Sequence, residues 1–505
     1  MKEEAVVYRN AHDPLRDETR DVWVVRGRIA EGPVPGARAV DLRGAPLRPK
    51  FVDPHAHVLP MGLDLVRPSV AGCASREEIL DRLRDALNLV ARGDWLVAAG
   101  YDPNRLSESE SLSLDDLDRL STDVPIVLRH VSGHGSLVNS AVLRIAGIDD
   151  QTPDPPGGRI GRRADGRPNG WLLERAQEAL RKVAPKEDVE TMARAVLRAC
   201  QKLSEMGIGT VADMMTGYYD LRRELRAYAL AARRGCPVRL RLYLQWSAVF
   251  GPKARHGWEE DLVDADPSRC RVAGIKVFAD GALGARTAAI RGAYLGDPTP
   301  PSGWSGVLTY RPARLREMVR RAHEAGWSVA IHAIGDHALD LAMQALRETG
   351  EPSRHRIEHA MIADERQIGE LARLGCRVCV QPEFLADFAE AYAQSLGPER
   401  MARLNPLGSM HRAGVRLCLG SDRPICKGDP EDYVRLATHR PPGFDPEERL
   451  DPRTAYAAAT KEAAAALGDA DLGSLEPGSW ADLLADPASG LNPSERGPES
   501  RSDAS

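Results

Sequence analysis

From about residue 186 to residue 422 the chain repeats one pattern. Apolar positions recur at three- and four-residue spacing, a glycine closes the stretch, and a short run of apolar residues follows. The first spacing places apolar side chains on one face of a helix. The second, an apolar run without alternation, suits a strand covered on both faces. The pattern predicts a helix over 187–206 leading into Gly207-Ile-Gly-Thr-Val-Ala-Asp213, and another over 219–235 leading into Val238-Arg-Leu-Arg-Leu-Tyr-Leu244. Val272-Ala-Gly-Ile-Lys-Val-Phe278 follows after a loop. Helices over 315–326, 336–350 and 365–375 then lead into strands at 327–332, 355–359 and 377–381, and a last helix ends at Ala413-Gly414 before a strand at 415–422. With Phe51-Val-Asp-Pro-His-Ala-His57 as the first, the strands number eight. Repeated helix, glycine and strand predict a parallel sheet. Eight strands favour a closed (β/α)8 TIM-like barrel over an open doubly wound sheet. No glycine-rich dinucleotide fingerprint follows any of them, which weighs the same way.

Other stretches lack this rhythm. Residues 1–50 read as several short strands, such as Asp21-Val-Trp-Val-Val-Arg-Gly-Arg-Ile29 with its glycine turn. After the first barrel strand (51–70), residues 71–185 read as an α+β insertion. In it Ser75-Arg-Glu-Glu78 opens an amphipathic helix to about residue 91, strands are expected at 95–100 and 125–130, and 148–170 is rich in Gly, Pro and Asp. The rest of the barrel is expected over 186–466, closing with helix over 452–466. A turn and short strand follow within 467–485, and the polar stretch 486–505 is expected to be a disordered tail.

Composition narrows the class. At 505 residues and 43 % hydrophobic, the chain exceeds one ordinary domain and can bury a large core. A net charge of -5 with mixed signs carries no footprint for nucleic acid or an anionic membrane. The opening Met1-Lys-Glu-Glu-Ala lacks the apolar core of a signal peptide, and no apolar run reaches the roughly 18 residues a bilayer span needs. A cytoplasmic protein is therefore expected. The eight cysteines are scattered. Cys376 and Cys379 lie on a predicted strand, where positions three apart face opposite ways, so reduced thiols are expected rather than a zinc or redox pair.

The strand ends carry the chemistry. His55 and His57, spaced i, i+2, share one face of a strand. Alone, His-x-His is a weak motif. But Lys276, His332, His359 and Asp422 fall at the carboxyl ends of four further strands, where barrel enzymes place their active sites. A capping histidine or a turn aspartate explains any one of them; six at one rim point to a metal centre. Imidazole and carboxylate suit Zn²⁺, and also Fe²⁺, Mn²⁺ or Ni²⁺. An ammonium cannot ligate a cation, but burial lowers a lysine pKa. The neutral amine of Lys276 can take up carbon dioxide as a carbamate able to bridge two ions.

These residues resemble the ligand order of the amidohydrolase superfamily. Ile275-Lys-Val-Phe-Ala-Asp-Gly-Ala-Leu-Gly-Ala-Arg-Thr287, Ala330-Ile-His-Ala-Ile-Gly-Asp336, Arg356-Ile-Glu-His359, Leu419-Gly-Ser-Asp422 and Gly473-Ser-Leu-Glu-Pro-Gly-Ser-Trp-Ala-Asp482 are similar to amidohydrolase family 3, the group of YtcJ-like and N-substituted formamide deformylase-like proteins. Within the insertion, Leu128-Arg-His-Val-Ser-Gly-His134 and Asn169-Gly-Trp-Leu-Leu-Glu174 fit as well. The resemblance implies a deformed barrel with a small β-sandwich built from both chain ends, 1–50 and 467–485. It implies that His55, His57 and Asp422 hold one metal and His332 and His359 a second, with carboxylated Lys276 between them. Two departures stand out: the strand after Asp482 is cut short by Asp486-Pro487, and Gln381-Pro-Glu-Phe384 departs from the usual pattern.

The function this implies is metal-dependent hydrolysis of a non-peptide C–N bond, amide- or formamide-like, in a small molecule. Zinc is expected as one or two ions, with carbon dioxide as the lysine carbamate if there are two. Asp422 is the expected catalytic proton carrier. A one-metal deaminase or a cyclic-amide hydrolase is the rival on the same barrel. Such deaminases carry His-x-x-Glu, whereas Ala-Met-Ile follows His359, and strand alternation is expected to turn Glu358 away from the metal. From another class, the rival is a non-catalytic small-molecule-binding protein. No Gly-x-Ser-x-Gly elbow supports a serine nucleophile. Tyr101, Asp102, Arg105, His134, Arg286, Trp304 and His337 lie on loops near the expected rim. Of these, His134, Arg286 and His337 are the candidate substrate contacts, Arg286 because a guanidinium grips carboxylates and carbonyls. A homodimer is the candidate assembly.

Overall fold

The computed structural model describes residues 5–91, 93–103, 106, 111–131, 133, 135–155, 158–252, 254, 256–295 and 303–485. The expected tail 486–505 lies outside them. Eight parallel strands form one sheet in sequence order: Phe51–Ala56, Ile208–Thr216, Arg239–Gln245, Cys270–Phe278, Val329–Ala333, Arg356–His359, Arg377–Val380 and Arg416–Leu419. Helices between the strands cover the outside, as the pattern requires. The sheet closes through the segment after the eighth strand. Asp422 N donates to His55 O at 2.7 Å and His57 N to Arg423 O at 2.7 Å. Buried Asp53 ties the same seam, accepting from Ser421 N at 3.1 Å and Ser421 Oγ at 2.5 Å.

The helix Val189–Glu205 shows how local sequence sets the packing. Asp188 caps it by accepting from Thr191 N, and its buried face is Met192, Ala193, Ala195, Val196, Ala199, Cys200 and Leu203. It lies against the helix Val58–Val66 that follows the first barrel strand. A Cβ on Gly62 would stand 2.1 Å from Ala195 O, so only glycine permits that approach. This contact seats the helix that begins directly after His57.

The insertion carries a five-stranded sheet in the order Gly158–Arg162, Pro168–Glu174, Gly135–Val138, Ile126–His130, Leu96–Tyr101. Part of the Gly/Pro/Asp-rich stretch is thus an antiparallel pair rather than only loop. Its helix is Arg76–Leu87, shorter than the pattern suggested, with Ser75 Oγ accepting from Glu78 N at 3.2 Å. The stretch 452–466 divides at Thr460 into Pro452–Ala458 and Lys461–Ala466.

At the chain ends, Arg28–Ile29, Glu18–Val25, Val6–Asp13 and Arg38–Asp41 form a four-stranded sheet. Leu47–Pro49 pairs with Leu483–Ala485, so a three-residue strand does form after Asp482. Ala11, Val22, Ile29, Leu42 and Leu47 make the core between these layers. The C-terminal segment also locks the amino-terminal end of the barrel. Asp469 accepts from Arg241 Nε at 2.6 Å and from Arg271 at 3.0 Å, and Asp482 accepts from Arg239 Nε at 2.8 Å. No helix among the described residues is long and apolar enough to cross a membrane.

Candidate metal centre

The carboxyl ends of the strands bring the expected side chains together. His55 is the last interior residue of the first strand, and His57 follows as the cap of the next helix. Their rings stand 5.6 Å apart, centroid to centroid. The His359 ring is 4.9 Å from His55 and 4.5 Å from His332. Asp422 Oδ1 lies 2.8 Å from His57 Nε2 and 3.4 Å from His55 Nε2, yet no hydrogen bond of proper geometry reaches it. Atoms of His55, His359 and Asp422 able to bind a cation lie within 4.8 Å of one another. Lys276 is fully buried between them, its Nζ 5.0 Å from the Phe278 ring and without a hydrogen-bond partner.

Two backbone positions here are left-handed although neither is glycine, with φ of 76° at His359 and 54° at Asp422. Such conformations cost energy and persist where the surroundings over-determine them. At His359 the consequence is direct. Alternation alone would send Glu358 and His359 to opposite faces, but the left-handed residue swings the imidazole back into the barrel. The expectation that Glu358 turns away from the centre is therefore corrected: its Oε2 lies 2.6 Å from His55 Nδ1.

Partners behind the imidazoles set their protonation. His55 Nδ1 donates to the Glu358 carboxylate, and His359 Nδ1 donates to Gln381 Oε1 at 2.7 Å. His332 Nε2 donates to Gly281 O at 3.0 Å. Each of these rings, when neutral, then presents its other nitrogen as a lone pair. Burial keeps them neutral. It pushes His55 down to about 4 and His359 to about 3, each helped by neighbouring positive charge, and holds His332 well below the usual imidazole range. Burial also brings the Lys276 amine down to about 8. At Asp422 burial acts upward, but His55 and His57 outweigh it and hold the carboxyl well below the usual carboxylate range. The free nitrogens of His55 and His359 converge with the Asp422 carboxylate, the His332 ring stands beside His359, and the buried Lys276 amine lacks a hydrogen-bond partner. That donor set fits a divalent ion.

Exposure marks the open side. His57 and His332 keep 12 % and 13 % of their side-chain surface, against 1 % for His55. Phe384 stacks on His359 with centroids 5.9 Å apart, and Phe278 stands 5.2 Å from His332. Buried Asp280 ties the loops above, accepting from Ala289 N, Ile334 N and Gly335 N at 2.9–3.0 Å, while burial raises its carboxyl to about 7.

The candidate substrate contacts do not join the cluster. His337 is exposed on the first turn of the helix Asp336–Arg347, and its backbone N donates to Ala289 O at 3.2 Å. Arg286 is half-buried, and its carbonyl accepts from Trp304 Nε1 at 2.6 Å. Neither shows a described contact with the six converging residues. His134 and Arg105 lie outside the described residues. Tyr101 is buried in the core of the inserted sheet, where its hydroxyl accepts from Leu112 N at 2.8 Å. Sequence reasoning missed Gln381, Asp53 and Arg356 and set Glu358 aside. The signal for Arg356 and Glu358 was a pair of opposite charges two positions apart on a strand that the pattern buries.

A family model described as "Amidohydrolase family" matches residues 38–499. The chain belongs to the amidohydrolase family. Relatives of this amidohydrolase include YtcJ of Bacillus subtilis (strain 168), 32 % identical over 410 residues, which are 80 % of this chain and 75 % of that one. An N-substituted formamide deformylase of Arthrobacter pascens is 27 % identical over 478 residues, 91 % of this chain and 86 % of its own. Among solved structures, an uncharacterized metal-dependent hydrolase from Pyrococcus horikoshii OT3 is similar with a TM-score of 0.77 and 25 % identity, covering 95 % of this chain and 97 % of that one.

Proposed function

We propose that this amidohydrolase hydrolyses a non-peptide C–N bond, amide- or formamide-like, in a small molecule. The observation that carries the reading is the set of neutral imidazoles whose lone pairs meet the Asp422 carboxylate beside the unpartnered Lys276 amine. The likeness to an N-substituted formamide deformylase over most of both chains supports the same bond type. His55, His57, His332, His359 and Asp422 would hold a divalent metal such as zinc, with Lys276 as a carbamate if there are two ions, and such a metal would supply a water nucleophile at neutral pH and polarisation of the carbonyl.

The residues of the chain do the rest. Asp422, ionised at neutral pH, accepts the proton of the attacking water at Oδ1 and returns it to the leaving nitrogen. His57 and His332, on the open side, face the entering carbonyl. Phe278 and Phe384 cover the two flanks of the imidazole cluster and exclude bulk water there, which strengthens each charge interaction inside. The one-metal deaminase reading needs a free acid to protonate a ring nitrogen. Glu358 is not free for that task, because both its oxygens are engaged by Arg356 and one also by His55.

Metal analysis joined to a hydrolysis screen tests the proposal. N-formyl amines, N-acyl amino acids, cyclic amides and esters are offered to the metal-loaded protein. Metal-dependent release of an amine is the expected result. Ester cleavage alone, or no cleavage by fully loaded protein, contradicts it.

A further inference from the structure

Below the imidazoles lies a pair of opposite charges that the reaction does not use. Arg356 and Glu358 stand two residues apart on the sixth barrel strand, so both face the interior. They are 1 % and 0 % exposed. Arg356 donates to both carboxylate oxygens of Glu358, at 2.5 and 2.9 Å, and to Pro54 O at 3.1 Å. Pro54 precedes His55, so this guanidinium braces both the strand that carries His55 and the carboxylate that holds its ring.

Charge separates Glu358 from the other partners of the histidines. Gln381 behind His359 and the Gly281 carbonyl behind His332 are neutral acceptors. A carboxylate on Nδ1–H pushes electron density toward Nε2, which lies on the Asp422 side of the ring. His55, Glu358 and Cys379 also bring cation-binding atoms within 4.8 Å of one another. Arg356 already supplies the positive charge at that level, so the lower group is an ion pair and not a second cation site.

Resting on the metal-dependent reading above, we propose that Glu358, braced by Arg356, is a positioning residue that locks His55 in its Nδ1–H tautomer and strengthens Nε2 as a donor to the centre. Removing the acceptor alone would strand a buried guanidinium, which is costly whatever the role. The decisive variant therefore replaces both charges, as Arg356→Met together with Glu358→Leu, which fills similar volume with apolar atoms.

The test reads zinc affinity by competition with a chromophoric chelator, and the His55 tautomer by ¹⁵N NMR of the metal-free protein. The expected result is a folded double variant whose zinc affinity falls about 10- to 100-fold and whose His55 populates both tautomers. Parental affinity with an unchanged His55 spectrum overturns the proposal. Glu358→Gln keeps one acceptor oxygen and decides the matter if the double variant does not fold: a weaker zinc affinity supports the role, and a parental one overturns it. Should the parent chain bind no divalent ion, the metal reading fails by itself. The tautomer then still decides for Glu358: Nδ1–H in the parent with mixing in the variants supports it, and identical spectra refute it.

Discussion

Asp422→Asn separates binding from turnover. Asparagine preserves the volume and tolerates the left-handed φ of 54°. The backbone bond from Asp422 N to His55 O, 2.7 Å, does not involve the side chain and stays. What disappears is one buried negative charge, with Oδ1 2.8 Å from His57 Nε2 and 3.4 Å from His55 Nε2. The neighbouring imidazoles hold that carboxyl well below the usual range against the upward pull of burial, so it is ionised throughout the neutral range. An amide at the same place cannot carry a proton between water and a leaving nitrogen. Loss of a positioned proton carrier costs about 10²- to 10⁴-fold in rate, about 3–5 kcal/mol of barrier. Four imidazoles remain, so metal content is expected to stay near the parental value. The assay compares kcat/KM on an amide substrate at matched, measured metal content. Full activity in the loaded variant removes Asp422 from proton transfer. Activity lost only in proportion to metal reduces it to a ligand.

Three further outcomes are expected. Stripping the metal with a chelator lowers the melting temperature, and zinc at about a thousand times its dissociation constant restores about 4 kcal/mol; a melting temperature indifferent to zinc contradicts the fit of the centre. Asp469→Ala strands the buried Arg241 and costs about 3–5 kcal/mol in urea unfolding while metal content stays parental; unchanged stability refutes the locking role of the C-terminal segment. Burial, then His323 and Arg354, push His355 down to about 4 from the ordinary 6.5. As pH falls through the unfolded value the unfolded chain takes up a proton that the folded one refuses, so stability rises with pH between these limits by about 3 kcal/mol and levels off above them. His355→Gln flattens that slope by about one proton, and an unchanged slope in urea unfolding across this range argues against it.

The eight barrel strands and their order were determined by the sequence, because each is a local signal: an apolar run of a few residues after a helix and its closing glycine. The i, i+2 spacing of His55 and His57 was equally local, and both rings reach one place although the strand ends at Ala56 and His57 caps the helix that follows. The tertiary structure alone decided what lay beyond such spans. The left-handed φ at His359 broke alternation and left Glu358 facing inward beside it. The closing seam joins Asp53 to Ser421, 368 positions apart. The tautomers of His55, His359 and His332 follow from acceptors on other strands and loops, and the burial that keeps the imidazoles neutral needs the whole barrel around them. Periodicity aims a side chain only as far as its own strand keeps the regular backbone; past that point, direction and protonation belong to the packing.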